Sequence, residues 1–271
     1  MVSITWAVVL FTATAAVATP SSRIIGGQEV PIEQYPSIVQ IEYLIPVVSI
    51  WRYSCGATIV SNSWLVSSAQ CFSGRSFLGL SSRRMRAGTS VPGEGGFIVR
   101  FSSYLNHPDF NKKALYDSDI TLLRLVRPLT WSAAVQPAPI NLGGSELPDN
   151  SPVVVAGFGA VEADTSEEMT DLQEAAVFTV NTEECRRRYK DFLNENVTDT
   201  MICAGLLDVG GVDACIRDTG GPLYYNNDNS NVDVLVGIVS WGFWRACGDF
   251  TFPGVYTQVS AFTDWILANA V

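Results

Sequence analysis

Short apolar runs at period two, broken by glycine and serine clusters, fill most of this chain and confine it to β-structure. Residues 37–43 alternate small or polar with apolar side chains, and 57–60 and 64–66 follow as further strands. Residues 153–157 read as a buried strand. Tyr224-Tyr225 and residues 232–239 read as two strands joined by the polar loop 226–231. A helical period shows only in the tail, where Val259, Phe262, Trp265 and Ile266 fall at i, i+3 and i+4 spacings. This pattern belongs to barrels and sandwiches, and 271 residues suffice for a large core as one domain or two fused halves. Repeats, linkers and low-complexity tracts are absent from the sequence.

The formal net charge of −10 argues against nucleic acid and acidic membrane surfaces as partners, since both reward basic patches. The first residues read as an export signal, residues 1–18. Ala7 begins an apolar run, and Ala16-Val17-Ala18 offers a cleavage site before Thr19-Pro20. The run is too short to span a bilayer. Export puts the six cysteines, Cys55, Cys71, Cys185, Cys203, Cys215 and Cys247, in an oxidising compartment. Disulfides are expected, with their connectivity left open by the sequence. A zinc site would need clustered Cys and His, and the lone His107 is remote in sequence from every cysteine. Lysine occurs only at Lys112, Lys113 and Lys190, the other basic residues being arginines. Arginine keeps its charge where lysine titrates, which suits an alkaline fluid such as a gut lumen; a lineage bias in composition explains it equally well.

Two motifs organise what remains. The stretch Asp213-Ala214-Cys215-Ile216-Arg217-Asp218-Thr219-Gly220-Gly221-Pro222 resembles the nucleophile loop, D-A-C-x-G-D-S-G-G-P, of the chymotrypsin/trypsin family of serine proteases. Arg23-Ile24-Ile25-Gly26-Gly27 is similar to that family's R-I-V-G-G activation site. The resemblance runs from Arg23 to the C-terminus. It implies an all-β fold of two packed six-stranded antiparallel β-barrels, about 24–138 and 139–258, followed by a C-terminal α-helix, with the site in the cleft between the barrels. It also implies pairing of Cys55 with Cys71, Cys185 with Cys203 and Cys215 with Cys247. Residues 19–23 become a short propeptide, and cutting after Arg23 frees an α-amino group on Ile24 to pair with Asp218. Such a buried ion pair shapes nearby loops because neither charge is tolerable there alone.

The catalytic positions depart from the family. A triad needs a nucleophile, a base and a carboxylate that orients the base. The family's T-A-A-H-C appears as Ser68-Ala69-Gln70-Cys71, so Gln70 stands where the histidine belongs. A neutral amide takes no proton near pH 7. Tyr116-Asp117-Ser118-Asp119-Ile120 matches D-N-D-I-A-L-L and puts the orienting carboxylate at Asp119, which can accept an N–H from Gln70. Thr219 replaces the serine, with a methyl that stiffens χ1 and crowds attack. Arg217 replaces an oxyanion-hole glycine, implying a strained or flipped backbone and a guanidinium available to an anion or to Asp119. His107, in Asn106-His107-Pro108, matches a structural segment and is not expected to serve as base.

Binding features survive better. Asp213 falls where trypsins select Arg and Lys, Ser240-Trp241-Gly242 where they bond an extended main chain, and Gly254 where a side chain would block the pocket. The insertion Phe243-Trp244-Arg245-Ala246 is bulkier than in typical trypsins, so Phe243 or Trp244 is a candidate cap and Arg245 a candidate neutraliser of Asp213. Asn196-Val197-Thr198 is an N-glycosylation sequon. No cofactor or metal loop stands out. The resemblance points to a secreted, monomeric, non-catalytic homologue that binds protease inhibitors or active proteases. A weak trypsin-like endopeptidase cutting after Arg or Lys is the alternative, and a structural or storage protein with an occluded cleft a third.

Overall fold

Strand-forming alternation becomes two antiparallel sheets. The computed structural model describes residues 26–75, 77–159, 171–215, 217–226, 232–243 and 247–270. Strand β1 (Gln28–Glu29) is followed in the first half by β2 (Ile38–Ile45), β3 (Ile50–Ile59), β4 (Trp64–Ser67), β5 (Arg83–Ala87), β6 (Phe97–Val99), β7 (Phe101–Asn106) and β8 (Thr121–Leu125). These join in the order β6-β5-β2-β3-β4-β8-β7. The sheet curls until its edge strands β6 and β7 are consecutive in the chain, separated by Arg100 alone. A bend of this kind lets one stretch of chain serve both ends of a curled sheet.

The second half closes fully. Strands β9 (Pro152–Gly157), β10 (Gln173–Val180), β11 (Met201–Gly205), β12 (Pro222–Asn226), β13 (Asp233–Trp241) and β14 (Gly254–Gln258) run β10-β11-β14-β13-β12-β9, and β9 pairs back onto β10. That is a six-stranded barrel, to which β1 adds through Gln28 opposite Glu174. The expected barrel is therefore realised outright here, and as a curled seven-strand sheet in the first half.

Each half has its own core, Val39, Ile41, Ile59, Leu65 and Met85 in the first and Val153, Val155, Val177, Leu223 and Val236 in the second. A third cluster joins them: Tyr35, Tyr53, Trp64, Phe158, Tyr224 and Ile238, with Phe262 and Ile266 from the C-terminal end. Tyr35 and Tyr224 stack across this junction with centroids 5.4 Å apart. Helix α2 (Thr263–Asn269) closes the chain, with Ile266 buried against the junction, as the tail's spacing predicts.

One helix has no counterpart in the sequence reading, which found a helical period only in the tail. Helix α1 (Thr182–Leu193) fully buries only Cys185 and Tyr189, and Phe192 and Leu193 continue that face at i+7 and i+8, a short apolar stripe among charged residues. Its termini and surface charges add to this packing. Asn181 caps it by accepting from Glu184 N at 3.1 Å, and Asn194 ends it at φ 56°. Glu184 pairs with Arg187 at 2.7 Å and with Arg188 at 2.6 Å.

Three disulfides, Cys55–Cys71, Cys185–Cys203 and Cys215–Cys247, are the pairs the resemblance implies. Among the described residues no helix is long and apolar enough to cross a membrane. The export signal, the Arg23–Ile24 bond, Trp244 and Arg245 lie outside the described residues.

Candidate functional site

The site grows from a turn of 3-10 helix, residues Ala69–Phe72, that follows β4. Ser68 caps it by accepting from Gln70 N at 3.3 Å, which aims Gln70 toward the inter-barrel cleft. Asp119 stands just before β8, wholly buried. Its carboxylate collects four donors. Gln70 N reaches Oδ1 at 2.9 Å, while Gln70 Nε2, Ser68 Oγ and Ser240 Oγ each reach Oδ2 at 2.7 Å. Burial raises the Asp119 carboxyl above the ordinary carboxylate range, against the pull of these four bonds.

The second amide hydrogen of Gln70 goes to the Ser240 carbonyl at 2.8 Å. Both side-chain N–H groups are thus committed inside the protein, and the remaining polar atom is an amide oxygen of negligible basicity. Thr219 shares the cleft with Gln70. Among the described residues nothing is hydrogen-bonded to its hydroxyl, while its carbonyl accepts from Gly56 N at 2.9 Å. His107 stands apart: it packs edge-on against Phe262 and Trp265, each at 4.9 Å, and its Nδ1 accepts from Asp109 N at 3.2 Å. Burial holds its pKa below the ordinary value.

Arg217 is exposed and keeps φ at 79°, a conformation that favours glycine. The strain expected there is present. The contact with Asp119 is not, because that carboxylate is sealed among its four donors. Next to it Asp218 is buried, and burial lifts its carboxyl to about 6. Its oxygens accept from Gly159 N at 2.8 Å and Cys215 N at 2.9 Å. A Cβ on Gly157 or Gly159 would stand 2.0 or 2.3 Å from these oxygens, so glycine is required on both sides.

A cavity of about 520 Å³ runs from Gln70 and Thr219 past Ser240, Trp241 and Gly242 to Asp213. Burial pushes the Asp213 carboxyl up to about 7. Oδ2 accepts from Gly248 N at 3.3 Å, and among the described residues Oδ1 has no partner. A Cβ on Gly254 would fall 2.6 Å from that Oδ1, so this position must lack a side chain. Trp241 Nε1 and the Tyr256 hydroxyl, on the same cavity wall, are likewise buried with no partner among the described residues. Phe243 lines the cavity and leans on Phe252 at 4.8 Å, so it forms wall rather than plug.

Several members of the site were not foreseen. Ser68, and the Ser240 hydroxyl as opposed to its main chain, bind Asp119. Tyr116, Tyr189 and Glu195 line the cavity, brought there by loops and by helix α1. Asn196 of the sequon is exposed and accepts from Lys190 Nζ at 3.3 Å.

Two antiparallel β-barrel halves meeting at a cleft, with the loop of residues 213–222 on one side and Asp119 beneath it, define the architecture of a chymotrypsin-like serine protease fold. The profile of the Trypsin family matches residues 24–266. The chain is similar to "Trypsin, alkaline C" of Manduca sexta, 37% identical over 262 residues that cover 96% of each chain. It is likewise similar to a trypsin of Phaedon cochleariae, 34% identical over 272 residues and 98% of each. The chain belongs to the trypsin family of serine proteases.

Proposed function

We propose that this protein is a secreted trypsin-fold homologue that recognises a basic side chain of a protein partner, an inhibitor or an active protease, and does not cut it. The observation that carries the reading is the committed amide of Gln70. General base catalysis requires a group that takes the nucleophile's proton. Here the position facing Thr219 presents an amide whose hydrogens are bonded to Asp119 and Ser240. Asp213 supports recognition of a cation, since it lines the cavity and its buried Oδ1 has no partner among the described residues. The apolar leader and three disulfides support export.

The rival reading is a weak endopeptidase, favoured by the names of the relatives and by a hydroxyl retained at Thr219. An occluded structural protein is disfavoured by the cavity volume.

One experiment separates them. The protein, cleaved after Arg23, is assayed on an arginyl chromogenic substrate beside a variant carrying Gln70→His, Thr219→Ser and Arg217→Gly. A silent wild type, a cutting variant and micromolar capture of a trypsin inhibitor by the wild type are expected. Wild-type hydrolysis that follows the protein through purification defeats the non-catalytic reading, and failure to bind any trypsin inhibitor defeats the decoy.

A further inference from the structure

The described lining of the cavity carries two charged side chains, Asp213 and Glu195, and both are negative. Asp213 lies at one end, beside Gly254 and Tyr256. Glu195 follows the left-handed Asn194 that ends α1 and donates its backbone N–H to Tyr189 O at 3.2 Å. The cavity also has an aromatic wall: Trp241 and Tyr189 meet edge-on at 4.7 Å, and the Tyr189 hydroxyl is fixed on Pro253 O at 2.6 Å.

Nothing within the described residues neutralises Glu195. The arginines of α1 are engaged elsewhere, Arg186 with Glu183 and Asp199, Arg187 with Glu184, Arg188 with Glu184 and Asp208. Lys190 donates to Asn196.

The segment bearing Glu195 is held across the barrel junction. Buried Asp117, from the first half, accepts from Thr198 Oγ1 at 2.7 Å and Thr200 Oγ1 at 2.9 Å. The same turn presents Tyr116 and Leu115 to the cavity opposite Leu193 and Glu195. The backbone that carries Glu195 is therefore anchored at the cavity.

We infer that the cleft selects a polypeptide segment carrying two basic side chains, one paired with the carboxylate of Asp213 and the second ion-paired with Glu195. This deepens the proposed function and rests on its reading of the cleft as a site for a basic residue. Two like carboxylates in one cavity impose a field that a dication satisfies and a monocation leaves half answered. The aromatic wall suits the apolar stems and cationic heads of arginine and lysine.

The test uses amidines as probes, at pH 8.5, where Asp213 is ionised. Calorimetry compares benzamidine, a series of bis-benzamidines with linkers of graded length, and the same linkers ended in an uncharged phenyl ring. The best-fitting dication should bind roughly 3- to 10-fold more tightly than its phenyl-ended counterpart. That gain should shrink as salt is raised and vanish in Glu195→Gln, where the dication and its phenyl-ended counterpart should bind alike. No gain at any linker length, or a gain that survives Glu195→Gln, overturns the second subsite and leaves the Asp213 reading standing. Failure of benzamidine itself to bind the wild type overturns both.

Discussion

Gln70 and Asp119 are joined twice: the backbone N–H of Gln70 reaches one carboxylate oxygen at 2.9 Å, and its side-chain amide reaches the other at 2.7 Å. The amide thus occupies the place of an orienting hydrogen bond without supplying a base. Asp119 keeps its full set of partners although the chemistry they would serve has no proton acceptor.

This arrangement predicts how activity would return. Gln70→His with Thr219→Ser should raise cleavage of an arginyl amide by at least about 100-fold over the wild-type background, because a positioned base is what is missing. Adding Arg217→Gly should contribute less than about tenfold, since Arg217 already holds the positive φ of a glycine. Initial rates of the double and triple variants check both statements. A double variant as silent as the wild type would mean that the cleft fails for another reason.

Arg217 should reveal itself in stability. A non-glycine residue at φ 79° carries backbone strain, and Arg217 is exposed with little packing to lose. Arg217→Gly should therefore leave stability unchanged or raise it by up to about 1 kcal/mol, strain relief being partly offset by the greater freedom of glycine in the unfolded chain. Urea denaturation measures this directly.

Asp119→Asn should destabilise the protein by roughly 2–4 kcal/mol. The new amide NH₂ would confront donors now satisfied by Oδ1 or Oδ2, namely Gln70, Ser68 and Ser240. A loss below about 0.5 kcal/mol in the same urea assay would count against the buried network described for Asp119.

Cation binding should be alkaline. Burial raises the Asp213 carboxyl to about 7, so below that pH the floor is neutral. Benzamidine affinity should rise about tenfold per unit up to pH ~7 and level off above it, with the dependence abolished in Asp213→Asn. Without ligand the sign reverses. A carboxyl whose folded pKa lies above its unfolded 3.8 favours the folded state below that value and loses the contribution as pH rises to about 7. Asp218, raised to about 6, acts in the same direction. Thermal unfolding across pH 4–9, with and without benzamidine, reads both trends.

Strands β2, β3, β4, β9, β12 and β13 were legible as short apolar or alternating runs between glycine and serine clusters. β10 was not, since it buries Gln173 and Thr179 and exposes Phe178, so its burial alternates but its polarity does not. The C-terminal helix was legible from its i, i+3 and i+4 spacing. Helix α1 was missed although Cys185, Tyr189, Phe192 and Leu193 fall at i, i+4, i+7 and i+8, a stripe of two turns set among charged residues that form caps and ion pairs. In the site, Gln70, Asp119, Thr219 and Asp213 could be found by motif. The Ser240 hydroxyl and Glu195 could not, because their roles arise where β13 and the end of α1 converge on residues distant in sequence. Likewise, the seven-strand order of the first sheet depends on a bend at Arg100 that no local pattern announces.

The loop carrying Thr219 is fastened to β3 by main-chain atoms. Gly56 N donates to Thr219 O at 2.9 Å, and the two chains approach so closely that a Cβ on Gly56 would lie 2.6 Å from Gly221 Cα. Such an attachment uses no side-chain atom of Thr219. The place of the loop is therefore set by the main chain, and a change of side chain at 219 alters what the cleft presents without unfastening the loop.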